Sequence, residues 1–193
     1  MGSFFETLYD VLFQPRTAMR QIAADKQLGQ ALAVVLLSVI IPVWAVYFGL
    51  KTAGMQHAFG VFVILQLVGS VAAWIMGAAL WHLIAEMAGG KGTAVGLLAA
   101  LGFAHLPRIF IVPLWVVAAL MPAGGRPLVM GMTGLIIAGW VLYLDVAALK
   151  EAHELSTAKA LLVLLAPPLA IFAVITAVTI FMGTAFIKMP FPA

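Results

Sequence analysis

Residues 158–187 read AKALLVLLAPPLAIFAVITAVTIFMGTAFI, and after Lys159 no acidic or basic side chain appears until Lys188. A helix needs roughly 20 apolar residues to cross a bilayer, and this run exceeds that. Four more such runs precede it, over about 28–50, 58–88, 94–121 and 128–149, and charged residues fall almost entirely between them. A chain solvated by lipid must satisfy its backbone polar groups internally, so only helices or a closed barrel can span. These runs are far too long for barrel strands. The fold class is all-α: a polytopic membrane protein with five transmembrane helices, preceded by a short amphipathic interfacial helix.

Composition agrees. Hydrophobic residues make up 65% of the 193 residues and charged residues 9%, with a mean hydropathy of +1.16. Those values exclude an ordinary water-soluble domain. The net charge of +3 does not point to nucleic acid, because the ten Lys and Arg are dispersed along the chain; anionic lipid headgroups are the simpler partner. The absence of cysteine removes disulfide and thiolate chemistry. The chain divides into a cytoplasmic amphipathic segment over 1–27, the five-span domain over 28–187 and a short tail over 188–193.

In the first segment Phe4, Phe5, Leu8, Leu12 and Phe13 recur at helical spacing opposite Glu6 and Asp10, which predicts a helix lying in the membrane interface. It has neither the basic start nor the small-residue cleavage site of a secretory signal, so no cleavage is expected. Pro15 suits the first position of a second short helix, and Ser156 suits the N-cap of the fifth span. Pro167 and Pro168 predict a kink. Gly69, Ser70, Ala72, Ala73, Gly77, Ala78 and Ala79 give the second span a small-residue surface, read as an intramolecular packing face with a homo-oligomer contact as the alternative.

Cytoplasmic segments retain excess Lys and Arg. With the N-terminus inside, that face holds Arg16, Arg20, Lys26, Lys91, Lys150 and Lys159, against Lys51, Arg126 and Lys188 opposite. The N-terminus is therefore expected in the cytoplasm and the C-terminus outside.

Arg108 lies near the middle of the third span, about 21 Å from its start by helical rise. Insertion scales put a lipid-exposed Arg at roughly 2.5–3.5 kcal/mol, so its guanidinium is expected to face the bundle interior or the carbonyls that Pro107 and Pro113 release. A functional alternative joins His105 and Arg108 on one helical face with His82 and Glu86 of the second span and Asp145 of the fourth, as an intramembrane polar cluster for an ion, a proton or an anionic ligand. Glu86 and Asp145 lie nearer their spans' cytoplasmic ends than Arg108 does, which strains a direct ion pair.

Nothing else carries recognisable chemistry. His153-Glu154 lacks the second His of a zinc-protease helix, and Glu151, His153 and Glu154 read as a solvated loop. Gly89-Gly90-Lys91-Gly92-Thr93 lacks phosphate-loop spacing and reads as a connector. No catalytic residue, metal site or cofactor is expected, and no enzymatic activity.

Several segments carry a family resemblance: Val11-Leu12-Phe13-Gln14-Pro15 followed by Met19 and Ile22, then Gly89-Gly90-Lys91-Gly92-Thr93, then Phe103-Ala104-His105-Leu106-Pro107, then the stretch from Ala148 to Ala160. In order and spacing the chain resembles bacterial Yip1-domain proteins over essentially its whole length. The resemblance implies five spans with a cytoplasmic N-terminus in a prokaryotic inner membrane, and supplies no catalytic residues. Eukaryotic relatives are tied to small GTPases through longer cytosolic N-terminal regions, a role not expected of the short segment here. The first functional expectation is a non-enzymatic module that binds or organises membrane partners, with lipids, a membrane protein or a second copy as candidates. The alternative is a transporter, channel or lipid-handling protein built around Arg108.

Overall fold

Each apolar run becomes helix in the computed structural model, which describes residues 3–52 and 59–187. The tail with Lys188, and Ala58 at the start of the second run, lie outside the described residues. The elements are α1 (Phe4–Phe13), α2 (Pro15–Asp25), α3 (Leu28–Thr52), α4 (Phe59–Met87), α5 (Ala94–Ala104), a 3-10 turn (Leu106–Phe110), α6 (Ile111–Ala119), α7 (Arg126–His153) and α8 (Thr157–Ile187), with no strand among the described residues. Five stretches have the length and hydropathy to cross a membrane: Leu28–Tyr47, Phe59–Met87, Ala94–Ala119, Arg126–His153 and Thr157–Met182. At 28 residues α7 is about 42 Å long, against a hydrocarbon core of roughly 30 Å, so its ends project beyond the hydrocarbon.

The centre of the bundle is α5. Its sequence AVGLLAALGFA is nearly all small or apolar, and Leu97 and Ala99 through Ala104 are buried by α2, α3, α4 and α7. Gly102 sets how closely α3 approaches: a Cβ there would stand 2.8 Å from the Ala31 methyl and 3.1 Å from the Trp74 ring. Trp74 of α4 in turn donates its indole N–H to the Leu98 carbonyl at 2.9 Å, satisfying the one polar atom it brings into the core. Of the small residues expected to form a packing face on α4, from Gly69 to Ala79, only Ala78 is buried, so that face does not form. Gly69 faces open space and Gly77 meets only Trp81 of its own helix, so close packing is carried by α5 instead.

The third run is broken rather than merely kinked. Pro107 has no N–H to continue α5, and the chain passes through the 3-10 turn before α6 resumes. Pro15 occupies the first turn of α2, and Ser156 accepts the Lys159 N–H at 3.3 Å, both as predicted. In α1 a capping box closes Ser3 on Glu6. That helix is amphipathic, but its inward stripe is Phe4, Thr7, Leu8, Val11 and Leu12, while Phe5 and Phe13 point outward with Tyr9. Spacing alone grouped the Phe residues on one face; docking of α1 against α2 divides them.

At the end of the bundle where α2, α4 and α7 finish, three distant segments are tied together. Arg20 of α2 donates to one Glu151 oxygen through Nε and Nη2, at 3.1 and 2.7 Å. The Lys91 N–H donates to the His153 carbonyl at 3.1 Å, and the Gly92 N–H to His153 Nδ1 at 3.2 Å. Lys159 Nζ reaches the Ala88 carbonyl at the end of α4. Glu151 and His153 were expected in a solvated loop; instead both are buried and only Glu154 is exposed. The cause is helical phase, because Glu151 falls on the same face of α7 as Leu144 and Ala148, both buried.

A side chain at Gly92 would enter the Ala152 carbonyl. Gly92→Ala is therefore expected to destabilise by about 2–3 kcal/mol, seen as a fall of about 5–10 °C in the thermal transition of the detergent-solubilised protein. Gly29→Ala, where nothing lies within 4 Å, is the control and should leave the transition unchanged or slightly raised.

Candidate functional site

The five residues predicted to form one polar cluster divide into three places. His82 and Glu86 sit at the tied end of the bundle, one turn apart on α4, with His82 Nε2 3.3 Å from Glu86 Oε1. His153, absent from the predicted cluster, completes them: its Nε2 is 3.2 Å from His82 Nδ1. Hydrogen positions follow from a single donor. Because the Gly92 amide donates to His153 Nδ1, a neutral His153 carries its proton on Nε2 and donates to His82 Nδ1. His82 then carries its proton on Nε2, which faces the Glu86 carboxylate at ion-pair distance. The chain runs from a fully buried imidazole to a carboxylate that is 54% exposed, and every ring nitrogen in it is used. It is linear rather than convergent, and among the described residues no three His, Asp or Glu side chains could hold one metal ion.

His105 is separate again. At the C-terminal end of α5 its Nδ1 lies 2.9 Å from the Leu101 carbonyl, one turn back, so that nitrogen is the protonated donor. The ring is tied to its own helix and does not line the cleft described next.

Arg108 and Asp145 do share a space. A cleft of about 680 Å³ lies between α3, α4, the 3-10 turn with α6, and α7. Its polar lining is Arg108, Asp145, Gln66, Ser70 and Ser38; the rest is apolar, including Val112, Trp115 and Val141. The break after α5 puts Arg108 on this wall, and small residues opposite, Gly134 and Ala138 of α7 and Ala45 of α3, leave the room. A Cβ on Gly134 would meet nothing within 4 Å. Ser38 is already satisfied by the Val35 carbonyl at 2.7 Å.

Arg108 was expected to bind carbonyls released by its neighbouring prolines, and it does not. Among the described residues neither the Arg108 nor the Asp145 side chain makes a hydrogen bond or an ion pair within 4 Å, although the Arg108 charge acts on both Asp145 and His105 across longer distances. A guanidinium with five donors and no protein acceptor, on the wall of an open cleft at membrane depth, is chemically suited to an anionic group such as a phosphate. Gln66 and Ser70 were missed as site residues. Gln66 was detectable as a lone amide inside an otherwise apolar stretch of α4.

Comparison with known proteins agrees with the architecture. No curated protein and no solved structure matches the chain. The family model of the Yip1 domain matches residues 9–179, from within α1 to within α8. The segments that carried the sequence resemblance are the ones that meet in space, since the 89–93 connector closes on His153 and α2 on Glu151. A match over most of the chain, across all five apolar helices, makes this protein a member of the Yip1 domain family.

Proposed function

We propose that this protein is a non-enzymatic lipid-binding membrane protein, which holds a phospholipid headgroup in the lateral cleft between α3, α4, α6 and α7. The observation that carries this reading is the unpartnered Arg108 facing an open space of about 680 Å³ whose other walls are mostly apolar. A dry, close-packed surrounding would have favoured a purely structural arginine. An amphiphile fits both halves of the lining: its phosphate meets the guanidinium by charge-assisted hydrogen bonds, and its chains meet aliphatic walls. Organisation of membrane partners at the α1–α2 face is a second reading, favoured by the exposed Phe5, Tyr9 and Phe13 left after α1 has docked. The charge distribution supports a cytoplasmic location for that face, and the resemblance to bacterial members of the family supports a prokaryotic inner membrane.

Two measurements test these readings. Purified in a mild detergent and examined by native mass spectrometry, the wild-type chain should retain phospholipid. Arg108→Leu should retain at least about tenfold less, with circular dichroism unchanged, and Arg108→Lys an intermediate amount. Equal retention by wild type and Arg108→Leu would remove the cleft from the explanation. For topology, the cysteine-free sequence allows single reporters. Gly124→Cys should react with an impermeant maleimide on intact cells or spheroplasts, and Glu154→Cys only after permeabilisation; the reverse pattern would invert the orientation.

A further inference from the structure

We propose that the cleft selects a zwitterionic phospholipid whose headgroup ends in a primary ammonium, the ethanolamine class, with the phosphate on Arg108 and the ammonium on Asp145. This rests on the lipid-binding reading above and adds the headgroup. A guanidinium and a carboxyl group line one cleft, yet no nitrogen of the first comes within 4 Å of an oxygen of the second, and neither side chain has another hydrogen-bond or ion-pair partner among the described residues. A bound group must therefore offer an anion to one and a cation to the other. A headgroup carrying only negative charge would satisfy Arg108 and leave Asp145 facing a like charge.

The order of polar groups along the membrane normal supports the same assignment. Measured by helical rise from the end where α2 finishes, Asp145 lies about 12 Å down α7 and Arg108 about 21 Å down the third run. Ser70 and Gln66 lie about 25 and 31 Å down α4. A phospholipid in the leaflet on that side presents ammonium, phosphate, ester carbonyls and acyl chains in this sequence. The hydroxyl and amide lie beyond Arg108 at about the same levels as the apolar Val112 and Trp115, where esters give way to acyl chains. The headgroup is drawn inward relative to bulk lipid, so its two charges must be matched by protein. A quaternary ammonium has no N–H to give a carboxylate and is held by aromatic faces instead. One turn along α7 from Asp145 the lining is aliphatic, with Val141 and Leu142.

The test uses the full chain in detergent, titrated by native mass spectrometry with three phospholipids of identical acyl chains carrying ethanolamine, choline or glycerol headgroups. Wild type is expected to prefer the ethanolamine lipid by about tenfold or more over the other two. The near-isosteric Asp145→Asn should abolish that preference while still binding lipid, and Arg108→Leu should lose all three. Equal or tighter binding of the glycerol lipid by wild type, or a preference unchanged in Asp145→Asn, overturns the zwitterion assignment and leaves Arg108-dependent lipid binding standing. If none of the three binds in an Arg108-dependent way, both readings fall together. Thermal transitions of the variants, matched to wild type, separate these outcomes from misfolding.

Discussion

Hydrocarbon offers no hydrogen bonds, and that constraint governs the polar groups within the bundle. Backbone groups are satisfied by helix, and the few polar side chains within the bundle are mostly tied to a neighbouring carbonyl. Trp74 donates to Leu98, His105 to Leu101 and Ser38 to Val35. With so little left for specific polar contacts, packing depends on close approach, and α5 supplies it through Gly and Ala where a membrane helix bundle cannot rely on hydrophobic exclusion.

Where the helices project beyond hydrocarbon the logic changes, and charge becomes the fastener. Glu151 on the buried face of α7 would be an uncompensated carboxylate without Arg20, whose guanidinium meets it through two N–H groups. His153 is equally dependent on its surroundings: buried, it has both ring nitrogens engaged, one by a backbone amide and one by His82. The connector between α4 and α5 can lie close enough to do this only because position 92 has no side chain. Loops that look like punctuation in the sequence are thus the joints that hold α2, α4, α5 and α7 in register.

Much of this was legible beforehand. Five apolar helices of spanning length, an amphipathic helix ahead of them, Pro15 at a helix start and Ser156 at another all follow from local rules of hydropathy and capping, and the structure keeps them. What local rules missed depends on partners distant in sequence. Glu151 reads as solvated until Arg20 is placed beside it, and His153 reads as a loop residue until Gly92 and His82 close on it. The difference in depth that strained the predicted cluster proves decisive: His82 and Glu86 sit with His153 at the tied end of the bundle, away from the cleft that Arg108 lines. The complete break in the third run followed from Pro107, yet its consequence, turning Arg108 onto a cleft wall, needed the positions of α3 and α7.

The same contrast gives Arg108 and Asp145 their significance. Trp74, His105 and Ser38 each meet a backbone carbonyl, whereas these two side chains are separated by the cleft they line. A cluster that served only stability would gain by closing that gap, since an Arg and an Asp in contact neutralise one another and an apolar pair would cost less still. Sequences depart from local consistency chiefly where a site requires it. Small residues at Gly134, Ala138 and Ala45 keep the space open where larger side chains would fill it and bury the charges. The unmatched pair and the room around it are therefore best understood together, as the two halves of a binding site whose remaining polar groups come from the bilayer.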